Sequence, residues 1–185
     1  LFLKNMLEIW DNVFKNQKAN ALSKLQNYII SAKKDSDLYF FLKVQTLIIY
    51  AYFDEHSEII KVFEELQKNI KIVPSRYYIS IAKIIYDKID KKFAKSFLSQ
   101  NIPNNLDLEI ALKNLPKIDI FDLSKLLSNV FYECGYIIAR SEGFFKSVPQ
   151  FWYSLHLNEN NEGSRLILSS FFSEVNQDDI ALDIL

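Results

Sequence analysis

SNVFYECGYIIARSEGFFKSVPQFWYSLHLNENNEGSRLILSSFFSEVNQDDIALDIL, Ser128 to Leu185, is the stretch whose reading decides the fold, because here the chain repeats itself. Gly135 and Ser169, both small, stand 34 residues apart, and so do Ser147 and Ala181. Bulky residues keep the same offset, Ile138 with Phe172 and Phe151 with Leu185. Inside each copy the small residues lie 12 apart, Gly135 with Ser147 and Ser169 with Ala181, and Ala82 with Ala94 shares that spacing. The requirement is steric: two antiparallel helices approach closely only where neither carries a large side chain at the crossing. Between the copies, Ser154 to Gly163 reads as a helix end running into an Asn-rich turn.

Outward from that stretch, the rest of the chain also reads as helices. Leu3, Met6, Leu7, Trp10, Val13 and Phe14 form a stripe of period 3.6, and residues 19–32 follow with Leu22, Leu25, Ile29 and Ile30 on one side. Asp35-Ser36-Asp37 is an N-cap cluster for a helix over 38–52 that is apolar almost all round, which predicts burial by neighbours on both sides. Residues 54–68 open polar and carry Ile59, Phe63 and Leu66 as a buried stripe. Pro74-Ser75 restarts the chain for helices over 75–87 and 91–99. Pro103 and Pro116 bracket an amphipathic segment, 106–115, that breaks the rhythm; residues 100–121 are read as a hinge or a degenerate repeat. Asp122 is placed to cap the long helix that runs to Arg140, and Pro149 should kink the following helix, 144–157, or delay its start.

Composition narrows the class. Three glycines and four prolines in 185 residues favour long helices over a hairpin-rich sheet. Nearly half the residues are hydrophobic and a quarter charged, neither a disordered tail nor a membrane bundle. A net charge of −1 supplies no global field for nucleic acid, and Lys33-Lys34 and Lys91-Lys92 sit beside acids as a solvated face would. The single Cys134 excludes an intrachain disulfide and a cysteine metal cluster. The longest apolar run, Leu47 to Phe53, is too short to span a bilayer, and the first 14 residues carry too many charges for a signal peptide. A cytoplasmic location is expected. The chain opens without Met and stops inside a helical pattern, as a piece of a longer protein would, and its richness in Asn, Lys and Ile fits AT-rich bacterial coding.

A 34-residue period of paired helices with small residues at the crossings resembles a tetratricopeptide (TPR) repeat. The likeness is close over 128–185, fair over 38–99 and poor elsewhere. Phe131, Gly135 and Ile138 fill the family's slots in the first helix, and Ser147, Phe151 and Ser154 those in the second. Leu47 and Ile59 stand where the family prefers small residues, Arg165 replaces an aromatic and Glu159 a proline. The resemblance implies an all-α fold, a right-handed α-solenoid of antiparallel helix pairs forming one domain over 1–185. Its concave face would hold a peptide or helix of a partner protein.

In that family the first helix of each pair lines the concave face, so the resemblance nominates Arg76, Ile79, Lys83 and Tyr86 on one helix. On another it nominates Asn129, Tyr132, Glu133, Tyr136 and Arg140. Tyr132 and Tyr136, on successive turns, suit either a peptide groove or packing against the neighbouring helices. Ile, Tyr and Glu at matching slots argue against the full clamp for a terminal carboxylate that some members carry. Catalysis has little to stand on. His56 and His156 are lone, with no second ligand at i+4, Glu64-Glu65 and Asp178-Asp179 are neighbours that point apart, and no nucleophile elbow or Gly-rich phosphate loop is present. Cys134 fits a buried, inert thiol. The expectation is therefore a non-enzymatic protein–protein interaction scaffold without cofactor or metal. The alternatives are a helical accessory domain of a larger enzyme and an RNA-binding helical repeat.

Overall fold

The computed structural model describes residues 2–71, 73, 76–101 and 123–185, and the described residues form α-helices with no strand. In chain order they are α1 (Phe2–Phe14), α2 (Lys18–Ser31), α3 (Asp37–Tyr52), α4 (His56–Lys68), α5 (Arg76–Lys88), α6 (Lys91–Asn101), α7 (Leu123–Glu142), α8 (Phe144–Leu157), α9 (Glu162–Glu174) and α10 (Asp178–Ile184). They fall into two compact units, one holding α1 (from Lys4) to α6 and the other α7 to α10. The segment 106–115, the cap at Asp122, the Pro74-Ser75 restart and all but the first two residues of the expected hinge lie outside the described residues.

The turns inside the helix pairs explain the common register. Asn16, Asp54 and Asn176 adopt left-handed φ angles of 58°, 55° and 60°, which Asn and Asp tolerate best after Gly. The next amide then reaches back over the helix end: Gln17 N–H donates to Asn12 O at 2.8 Å, Glu55 to Tyr50 O at 2.9 Å and Gln177 to Phe172 O at 2.8 Å. These bonds satisfy carbonyls that a helix end leaves open. The carbonyls of Gln17, Glu55, Asp90 and Gln177 accept from Ala21, Ile59, Ala94 and Ala181, so the turn fixes which residue faces the partner helix. Twelve residues before each of those four stand Ile9, Leu47, Ala82 and Ser169, and all eight are buried.

In the first unit α3 is the centre. Eleven of its residues are buried, Tyr39 to Leu42, Val44 to Ile49 and Ala51, as an all-round apolar helix requires. Ser36 caps it, its hydroxyl accepting from Tyr39 N–H at 3.2 Å. Trp10 Nε1–H donates to Gln45 Oε1 at 3.0 Å, so α1 packs on α3 with its indole donor satisfied. Ile59, Phe63 and Leu66 are the buried stripe of α4, and Phe63 meets Phe93 and Phe97 of α6 at centroid distances of 5.0 and 5.2 Å. Two ion pairs join more distant segments, Lys18 with Glu55 and Lys88 with Asp54. The stripe of α2 departs from expectation: Ala21, Leu25 and Ile29 are buried, whereas Ile30 points to solvent. A helix advances 100° per residue, so Ile29 and its neighbour cannot share a narrow buried face.

In the second unit Phe151, Leu168 and Ile184 form the core, flanked by Tyr132, Phe144, Val148, Leu155, Ile167 and Phe172. At Gly135 a Cβ would lie 2.9 Å from the Phe151 ring and 3.2 Å from Gln150 Cβ, so α7 and α8 cross where only hydrogen fits. At Gly163 a Cβ would lie 2.8 Å from the Tyr132 ring, so the first turn of α9 sits directly against that side chain of α7. Pro149 does not delay α8, which starts at Phe144 with the proline inside it. The lost donor of Pro149 falls on the exposed side, where water can serve the Phe145 carbonyl.

Candidate partner-binding surface

The nominated residues divide between the two units. Arg76 and Ile79 lie on α5, but their side chains are outside the described residues. Lys83 is only 5% exposed, and its ammonium is held by Asp87 one turn on, at 2.9 Å, and lies 5.2 Å from the centre of the Tyr86 ring. Lys91 lies over the same ring at 5.2 Å. The Lys83–Tyr86 half of the set is thus drawn together, but into contacts of α5 with itself and with the start of α6.

On α7, Asn129, Glu133, Tyr136 and Arg140 recur at helical spacing along one stripe, with Asn129 and Arg140 exposed and Glu133 and Tyr136 half-buried. Tyr132 leaves that stripe for the core. Its ring covers Gly163 and stands 6.0 Å from that of Phe151, the packing alternative that the sequence left open.

Beside Asn129 lies a buried polar network that the sequence did not announce. Ser164 Oγ–H donates to Ser154 Oγ at 2.8 Å, the hydroxyls of Ser154 and Ser128 lie 3.0 Å apart, and Ser128 Oγ–H donates to the Ser154 carbonyl at 2.8 Å. Asn161 Nδ2 donates to Ser128 Oγ at 3.0 Å and to Asn129 Oδ1 at 3.3 Å, while its Oδ1 caps α9 by accepting from Ser164 N–H at 3.0 Å. Ser128 and Ser154 each both donate and accept and Ser164 donates, so the network ties α7, α8 and α9 together.

The open apolar surface is on α8. Val148, Pro149, Trp152, Tyr153 and His156 line a shallow groove of about 550 Å³. Phe145, one turn before Pro149, is 76% exposed and Tyr153 is 57% exposed. The Trp152 ring leans on Phe172 at 6.1 Å and that of Tyr153 on Phe131 at 5.5 Å, which holds both aromatics in place without covering them. Phe145, Pro149, Trp152, Tyr153 and His156 are spaced as one face of a helix, while Phe144, Ser147, Phe151 and Ser154 occupy the opposite one. Apolar residues on both faces were the available signal, since the core consumes only one.

Burial pushes the Cys134 thiol well up, which makes it unreactive. The His56 ring Nδ1 lies 2.8 Å from the Asp54 carbonyl, and His156 is exposed. Among the described residues no group of three metal-ligating side chains converges, and no helix is long and apolar enough to cross a membrane. Comparison with protein-family models, with curated proteins and with solved structures gave no match.

Proposed function

We propose that this chain is a protein–protein interaction scaffold, a TPR-like solenoid segment that takes a peptide or helix of a partner protein. The single observation that carries the reading is the aromatic groove along α8. Trp and Tyr are the residue types that dominate binding hot spots, and here they are braced from beneath while their outer faces stay open. The stripe Asn129–Arg140 on α7, which the TPR resemblance would place on the concave side, supplies polar and charged contacts in the same scaffold.

The test is selection of binding peptides on the 185-residue chain, followed by affinity measurement on variants. Trp152→Ala with Tyr153→Ala is expected to weaken the selected peptides about 30-fold, the loss of a hot spot of about 2 kcal/mol. Tyr136→Ala with Arg140→Ala is expected to weaken them less. Failure to select any saturable peptide, or equal affinity for both variants and the parent chain, would remove the groove from the account.

A further inference from the structure

The α8 groove is built on two adjacent aromatics that diverge. A helix turns about 100° per residue, so Trp152 and Tyr153 leave α8 in different directions. Each ring is held by a different neighbour, Trp152 by Phe172 of α9 and Tyr153 by Phe131 of α7. Pro149 and His156 stand about one turn before and one turn after them, and Val148 completes the lining. No carboxylate, lysine or arginine lines this slot, so it complements an uncharged segment. Among the described residues the Trp152 indole N–H, the Tyr153 hydroxyl and the His156 ring make no hydrogen bond to the protein. The other indole, Trp10, is already bonded to Gln45. The slot therefore combines flat apolar walls with unused N–H and O–H donors. An incoming α-helix answers those donors poorly, because its carbonyls are bound within the helix. A proline-rich segment in the polyproline II conformation answers them well: it has no internal hydrogen bonds, and each proline brings a carbonyl but no N–H.

We infer that the α8 groove takes a proline-rich segment of a partner protein in the polyproline II conformation. One pyrrolidine ring sits between Trp152 and Tyr153, and the segment's carbonyls accept from the Trp152 indole and the Tyr153 hydroxyl. The spacing along α8 fits a second ring. Phe145, 76% exposed, lies on the same helix face as Trp152, about 10 Å away along the axis. One polyproline II turn of three residues rises about 9 Å, so prolines three apart reach both aromatics, the mode in which such segments dock on aromatic-lined grooves. The inference rests on the reading of this groove as the partner site, and it narrows the occupant from any peptide or helix to one backbone conformation.

The experiment is an NMR titration of the isotope-labelled 185-residue chain with a blocked decaproline peptide, read at the indole N–H signals of Trp10 and Trp152. The Trp152 signal is expected to shift saturably, while that of Trp10, buried and bonded to Gln45, stays in place. Tyr153→Phe keeps the ring and loses the hydroxyl, and should bind about five-fold more weakly. Trp152→Ala, followed at the Tyr153 amide, should bind at least about ten-fold more weakly. Both side chains are exposed, so the variants should keep the parent's thermal melt, which is recorded beside the titration. An amphipathic Leu/Lys helical peptide and a Gly/Ser peptide are titrated in parallel. A helical peptide that saturates the groove while decaproline does not would overturn this inference and leave the interaction-scaffold reading standing. A Trp152 signal unmoved by millimolar decaproline, or affinity unchanged in both variants, would also overturn it. So would a Trp152 shift that grows with chain concentration in the absence of peptide, because it would give the groove to a second copy.

Discussion

At Tyr39 a phenol, a carboxylate and an ammonium meet. The Tyr39 hydroxyl donates to Glu65 Oε1 at 3.0 Å, and Lys43 Nζ donates to Glu65 Oε2 at 2.8 Å. Burial, and then the hydrogen bond to Glu65, push the Tyr39 phenol up to about 12. Burial alone would raise the Glu65 carboxyl, but Lys43 and Tyr39 outweigh it and hold the group below its usual range. Since the folded-state phenol lies above its unfolded value of about 10, it stabilises the fold fully below that pH. The contribution then fades as the pH rises through about 12. Urea midpoints measured across this alkaline window should fall more steeply for the parent chain than for Tyr39→Phe; parallel curves would contradict the assignment. At this scale the sequence was a partial guide. The Lys83–Asp87 pair could be read from its i,i+4 spacing, which would have withdrawn Lys83 from the open surface. The fate of Tyr132 could not, because it depends on Gly163, 31 residues away, arriving over the ring.

Single elements were the most legible. The stripe Ile59, Phe63 and Leu66 is buried as its period requires, the apolar α3 is enclosed, and Ser36 caps it. Residue pairs that decide a helix start across a long sequence gap were not legible. Asn161 begins α9 by capping it and by donating to Ser128, 33 residues earlier, and no local pattern encodes that second bond. Asn161→Ala should therefore lose more than an ordinary cap, about 2 kcal/mol or more, by leaving Ser128 and Ser164 short of partners. Asn161→Ser should recover the cap alone, and thermal denaturation of the two variants measures the difference. Equal stability of Ala and Ser at this position would mean the buried network contributes nothing.

Over the whole molecule one spacing recurs in both units, a buried residue on the first helix of a pair and another 12 places on in the second. The sequence displayed it where both are small, at Ala82–Ala94, Gly135–Ser147 and Ser169–Ala181. It concealed Ile9–Ala21, where one partner is bulky. For Ile9–Ala21, Leu47–Ile59 and Ser169–Ala181 the recurring Asn-Gln and Asp-Glu turns at 16–17, 54–55 and 176–177 were the better marker, because there the left-handed residue sets the register whatever the side chain at the crossing. The surface proposed for a partner was less legible than the core, since an aromatic on a helix can serve either until its neighbours are placed. Close nesting at small residues is the claim beneath both proposals, and a double-mutant cycle between Gly135 and Phe151 reaches it most directly. Gly135→Ala should destabilise the parent chain by about 1–2 kcal/mol, overpacking outweighing the roughly 1 kcal/mol that alanine adds to a helix. In a Phe151→Leu background the same change should cost nothing or stabilise, whereas an equal cost in both backgrounds would contradict the nesting of α7 on α8.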